Sequence, residues 1–82
     1  MAILVIHGGA GTVPEKYLDA YRAGLDQAAQ AGYAELTATG DPVKAVLAAV
    51  SAMELNDKAF NAGVGGAPTR EGRVELDACV MA

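Results

Sequence analysis

The chain has 82 residues, and six Lys and Arg against ten Asp and Glu give it a formal charge of −4. No basic surplus is available to neutralise a phosphate backbone, which argues against a nucleic-acid partner, and no apolar run nears the roughly 20 residues of a membrane span. Hydrophobic content of 52% against 20% charged excludes an intrinsically disordered chain, yet a single Phe, no Trp and an abundance of Ala and Gly predict a thin core. A domain of this size buries only about 60% of its unfolded surface even when well built. Cys79 is the only cysteine, so no intrachain disulfide compensates. A lone thiol fits a reducing compartment, and the chain is expected to be cytoplasmic.

Ala2–Ile6 is a continuous apolar run rich in β-branched residues. It reads as a strand buried on both faces, and it is too short, with no basic lead-in, for a signal peptide. His7-Gly8-Gly9-Ala10-Gly11-Thr12 follows as a flexible connection, and Pro14 suits a first helical turn. From Glu15 to about Thr37, Leu18, Tyr21, Leu25 and Ala28 recur at spacings of three and four, which predicts an amphipathic helix. Gly24 and Gly32 weaken it by up to about 1 kcal/mol each relative to Ala. Asp41-Pro42 pairs a good N-cap with a proline at the first helical position. The helix it opens has a stripe of Val43, Val46, Leu47, Val50 and Met53. Ala45, Ala48, Ala49 and Ala52 fill much of its remaining surface, so a neighbour can approach closely. It is expected to stop near Leu55. Thr69–Gly72 reads as a turn and 74–81 as an alternating strand, with 67–69 as the first arm of a hairpin that Pro68 confines to an edge or bulge. The predicted class is α/β: strand, two helices, β-hairpin.

The chemistry-bearing residues each have a bland alternative. The first glycine loop matches neither phosphate fingerprint: Gly9-x-Gly11-x-x is followed by Pro14, and no Gly-Lys-Ser/Thr appears. A tight strand-to-helix connection is the better reading. His7 is the only histidine and makes no metal pair. Asn61, between Phe60 and Ala62-Gly63, is either a turn residue tolerant of left-handed φ or an amide aimed into a site. Glu75 and Asp77 share a strand face, most simply a solvated one. Cys79 sits among apolar residues with nothing to stabilise a thiolate, and reads as a small packing residue.

Three segments in order, Ile6-His-Gly-Gly-Ala-Gly11, Phe60-Asn-Ala-Gly-Val-Gly65 and Glu75-Leu-Asp-Ala-Cys-Val-Met81, resemble the isoaspartyl peptidase/L-asparaginase family, with Ala45-Val-x-x-Ala49-Val-x-x-x-Glu54 at its place between them. These are the plant-type asparaginases, N-terminal nucleophile (Ntn) hydrolases. The resemblance spans the chain but only the N-terminal part of the family's longer precursor. It implies an αββα sandwich, of which residues 1–82 would be an N-terminal fragment cut short at Ala82. It also implies self-cleavage into two subunits, with the new N-terminal Thr of the second as nucleophile and its α-amine as base. The reactions are hydrolysis of β-aspartyl peptide bonds and of the asparagine side-chain amide. The nucleophile, oxyanion donors and substrate-holding residues would lie outside this segment, and the partner would be the rest of the precursor, in an oligomer. Within the segment the resemblance assigns active-site support to His7, Gly8, Gly9 and Asn61. It assigns sodium, the one expected cofactor, to the main-chain carbonyls of Glu54, Phe60, Ala62 and Val64. Carbonyl oxygens suit a hard cation, and glycines let successive carbonyls turn inward.

The chain departs from the family at three places. Leu55-Asn-Asp-Lys-Ala59 is one residue longer than usual and lacks a proline, Pro68 replaces an apolar residue, and Ala82 stands where Asp-Gly is expected. A non-catalytic module docking on another chain is the alternative reading. A small nucleotide-binding unit is weakest, because both phosphate fingerprints fail.

Overall fold

A computed structural model describes residues 2–82. Pro14 stands just ahead of the first helix with an extended ψ of 143°, and a single 3₁₀ turn, Glu15–Tyr17, leads directly into α1, Leu18–Thr39. α1 runs unbroken through Gly24 and Gly32. It ends where Gly40 adopts a left-handed φ of 67° and returns its N–H to the Leu36 carbonyl at 2.8 Å. α2, Pro42–Glu54, begins as its sequence predicts. The Asp41 carboxylate accepts from the N–H groups of Val43 (2.9 Å) and Lys44 (3.4 Å), a cap worth about 1 kcal/mol.

The two helices meet through their smallest residues. Ala28, Ala45 and Ala49 are buried, and a Cβ built on Gly32 would lie 3.0 Å from both the Ala45 carbonyl oxygen and the Ala49 Cβ. Gly32 thus exchanges helix propensity for close approach. The larger apolar stripe of α2 faces outward instead, with Val46, Leu47 and Val50 exposed.

The α/β class and the sandwich expected from the resemblance are not what the structure contains. Among the described residues there are two helices and no strand. The run 2–6 is not a ladder member, because no second extended segment lies beside it to exchange hydrogen bonds. It is held by side chains alone. Leu4 and Ile6 are half-buried, and Leu4 reaches to within 2.7 Å of where a Gly32 Cβ would stand, whereas Ile3 and Val5 are 79% and 85% exposed. Burial on both faces is therefore corrected to burial on one. The hairpin fails for a local reason. Its turn forms, with Gly72 N–H bonded to the Thr69 carbonyl at 2.9 Å, but pairing is limited to one antiparallel bridge, Pro68 to Val74. Pro68 has no N–H to donate and its arm is only a few residues long, so residues 75–82 continue unpaired.

The molecule is thin, 44 × 27 × 18 Å, with a radius of gyration of 13.7 Å against about 12 Å for a compact domain of its length. Its accessible surface is 6365 Å², whereas a complete fold of 8.3 kDa exposes about 4,600 Å². Ile3, Val5, Val50 and Met81 are among the large apolar side chains left exposed. The isolated chain is accordingly expected to unfold without a sharp transition and to associate as concentration rises. Sedimentation across a wide concentration range, with calorimetry, checks this. A cooperative transition from a persistent monomer would contradict it.

Candidate functional site

The second glycine segment is shaped by its own backbone. After α2, the Asn56 side chain accepts from the N–H groups of Lys58 (2.9 Å) and Ala59 (3.1 Å), curling the chain into a tight turn. The turn buries Ala59 and Phe60. The Phe60 ring meets Tyr21 of α1 edge-on, with centroids 5.5 Å apart and planes at 79°. The chain then doubles back, and Val64 N–H bonds to the Glu54 carbonyl at 2.7 Å, closing a loop over residues 54–64. Two glycines make the closure possible. A Cβ on Gly63 would fall on the Glu54 carbonyl oxygen, and one on Gly65 would fall on the Phe60 carbonyl oxygen.

This geometry bears on the sodium ligand set. The carbonyls of Glu54 and Phe60 lie against a glycine-lined interior, and the Asn56 carbonyl comes within 3.6 Å of a Gly65 Cβ position. Neutral carbonyl oxygens next to glycines are the donor type that suits a hard monovalent cation. Glu54 spends one lone pair on Val64 N–H and keeps the other. Ala62 and Val64, whose main-chain carbonyls complete the expected set, are exposed residues, Val64 at 62%. Among the described residues no group of three metal-ligating side chains gathers, so Glu75 and Asp77, both exposed, belong to a solvated segment.

Residues 8–13, Tyr21 and Asn61 enclose a cleft of about 280 Å³. Gly8 is seated at its base, where an added Cβ would stand 3.1 Å from Leu25 and 3.2 Å from Phe60. Gly8, Gly9 and Asn61 are thus brought together from segments some fifty residues apart. His7 is exposed beside the cleft, and its Nδ1 accepts the Gly9 N–H at 3.1 Å. That bond closes the loop into a compact turn. Asn61 does not sit in left-handed space, since among the described residues no non-glycine has positive φ. The turn-tolerance reading of Asn61 therefore fails. On the other side of Tyr21 a second cleft, about 250 Å³, is lined by Tyr17, Asp57, Lys58 and again Asn61. Asn61 occupies the ridge between the two.

Cys79 is exposed rather than packed, at the edge of a shallow apolar groove between α2 and the C-terminal segment. Sequence reading missed Asn56 and Tyr21. An Asn two residues beyond a helix end and ahead of a short polar stretch is a readable turn signal. Nothing local marks Tyr21 as the wall of two clefts.

The asparaginase family profile matches residues 1–82. An isoaspartyl peptidase/L-asparaginase of Danio rerio is 43% identical over 99% of this chain and 26% of its own length. A plant-type L-asparaginase of Thermococcus kodakarensis is 43% identical over the same shares. The isoaspartyl peptidase/L-asparaginase of Homo sapiens is 41% identical over 96% of this chain and 26% of its own length. No solved structure matches. The chain spans about a quarter of the length of these relatives, and with its whole length matched it belongs to the isoaspartyl peptidase/L-asparaginase family.

Proposed function

We propose that this chain is the N-terminal, α-subunit segment of an amidohydrolase that cleaves β-aspartyl peptide bonds and the side-chain amide of asparagine. The reading rests on one observation: a chain that matches the family throughout gathers Gly8, Gly9 and Asn61, its two family-like loops, around a single cleft. The nucleophile is a Thr outside this segment, freed as a new N-terminus by self-cleavage. Its hydroxyl attacks the amide carbon while its α-amine accepts the proton. Ammonia or an amino acid leaves, and water then releases aspartate from the acyl-enzyme.

This segment's own residues act around that chemistry. Asn61 offers a donor and an acceptor without charge, so it orients a hydroxyl or a water without raising a neighbouring amine's proton affinity as a carboxylate would. The loop at Gly8 and Gly9, pinned by His7, lies against the self-cleavage site. The main-chain carbonyls of Glu54, Phe60, Ala62 and Val64 would hold a sodium ion, which would fix the loop that carries Asn61 and take no part in the hydrolysis. The partner is the remainder of the same precursor, in an oligomer in the cytoplasm. Among the described residues no helix is long and apolar enough to cross a membrane.

A non-catalytic module docked on another chain is the second reading, favoured by the exposed Ile3, Val5 and α2 stripe. Ammonia release separates the two. The purified 82-residue chain is expected to release none from asparagine above a buffer control, and the full-length precursor to release it after self-cleavage. Ammonia from the 82-residue chain would contradict the assignment of the nucleophile. A full-length protein that cleaves itself into no subunits and hydrolyses neither substrate would leave the docking module.

A further inference from the structure

The geometry points to Gly24 of α1 as a positioning residue: a notch in the helix surface that receives the Phe60 ring and the Asn56 amide and so sets where Asn61 stands in the cleft. This inference rests on the proposed role of Asn61. Gly24 is buried in mid-helix, where glycine is a poor helix former and Ala the best. Its place is explained by what lies over it. A Cβ there would come within 2.7 Å of Asn56 Nδ2, 2.7 Å of Phe60 Cε2 and 3.0 Å of Phe60 Cζ.

These are the two residues that shape the second loop. Asn56 nucleates its turn through Lys58 and Ala59, and Phe60 is the buried anchor next to Asn61. Both therefore register the loop against α1 at one point. Phe60 is also held by Tyr21, one turn away on the same face and part of both cleft walls. The atoms a methyl group at 24 would meet are side-chain ends, but both side chains are held, the Phe60 ring by its edge-on contact with Tyr21 and Asn56 by the N–H groups of Lys58 and Ala59. Turning either aside gives up one of those contacts; on this proposal the loop shifts instead and carries Asn61 with it.

The test is made in the full-length, self-cleaved protein with asparagine as substrate, comparing Gly24→Ala, Phe60→Leu and Gly32→Ala. Gly32 packs against Leu4, Ala45 and Ala49 and touches neither loop residue, so Gly32→Ala reports the cost of crowding α1 at a point away from the second loop. Gly24→Ala is expected to lower kcat by about 10²-fold, the cost of a displacement near 1 Å at a reacting group, with self-cleavage complete on a gel. Gly32→Ala is expected to lower the melting temperature with kcat near wild type. Phe60→Leu keeps an apolar anchor but empties the notch of its ring, and is expected to lower kcat at least tenfold, which keeps the question open to test if Gly24→Ala does not fold. Wild-type kcat in Gly24→Ala or in Phe60→Leu would overturn the inference, as would equal kcat losses in Gly24→Ala and Gly32→Ala. If the unsubstituted protein hydrolyses no asparagine, it is the proposed function that fails. A crystal structure of Gly24→Ala then decides the notch by whether the Asn61 Cα moves or stays.

Discussion

Asn61→Ala in a fully self-cleaved protein is expected to lower turnover of asparagine and of a β-aspartyl dipeptide by about 10²-fold, by analogy with loss of one positioned hydrogen-bond donor at a reacting centre. Asn61→Asp keeps the size, removes the donors and adds a charge, and should lose a similar factor. The melting temperature should change little. Asn61 is exposed and contributes little buried area, and a net hydrogen bond is worth about 1 kcal/mol. The structural anchor is its neighbour, the buried Phe60. The check is kcat with melting temperature on the same preparation, self-cleavage being scored on a gel. Wild-type turnover in Asn61→Ala would reduce this residue to a polar surface position on the ridge between two clefts.

The second large effect concerns the loop that carries Asn61. Gly63→Ala places a methyl group on the Glu54 carbonyl oxygen, which already accepts the Val64 N–H. Backbone cannot yield as a flexible side chain does, so the closing hydrogen bond must break and the loop open. Overpacking of this kind costs about 1–3 kcal/mol. If the carbonyls of Glu54 and Phe60 hold sodium, the substitution also removes a ligand-dependent gain, because an ion bound only by the folded state stabilises it as its concentration rises. The wild-type full-length protein should melt higher in sodium chloride than in tetramethylammonium chloride of equal ionic strength, and Gly63→Ala should melt lower in both with the difference abolished. Equal melting of the wild type in the two salts would remove sodium from the account and leave Gly63 a steric role.

The helices were legible because their signals are local. The three-and-four spacing from Leu18 and the Asp41-Pro42 start each describe a contact made within a few residues, and both appear in the structure. The strands were not, because a strand exists only with a partner. Ala2–Ile6 has the same β-branched composition whether paired or bare, and periodicity says nothing about what lies beside it. The structure answers with Leu4 and Ile6 half-buried, Leu4 against Gly32 of α1, and Ile3 and Val5 left outside. In α2 the sequence showed both an aliphatic stripe and an alanine surface. Area alone favours the stripe, but Gly32 opposite Ala45 and Ala49 lets backbones approach closely enough for the alanine surface to win.

The site divides in the same way. The expectation that Gly8, Gly9 and Asn61 serve one site came from resemblance, not from their spacing, and the cleft that joins them depends on Tyr21, on a helix that separates the two loops in sequence. The curl of the second loop was readable in part, since Asn56 heads a short polar stretch. Its closure by Val64 onto Glu54 was not, because the signal is a carbonyl, which every residue carries.

The most direct test of the account is a crystal structure of the self-cleaved full-length protein with aspartate bound. The account predicts that the Asn61 side chain and the loop at Gly8 and Gly9 border the pocket holding the new N-terminal Thr, with the Asn61 amide within about 3.5 Å of the Thr hydroxyl or joined to it through one water. A structure in which that Thr and the bound aspartate lie away from the cleft, with Asn61 facing bulk solvent, would contradict it.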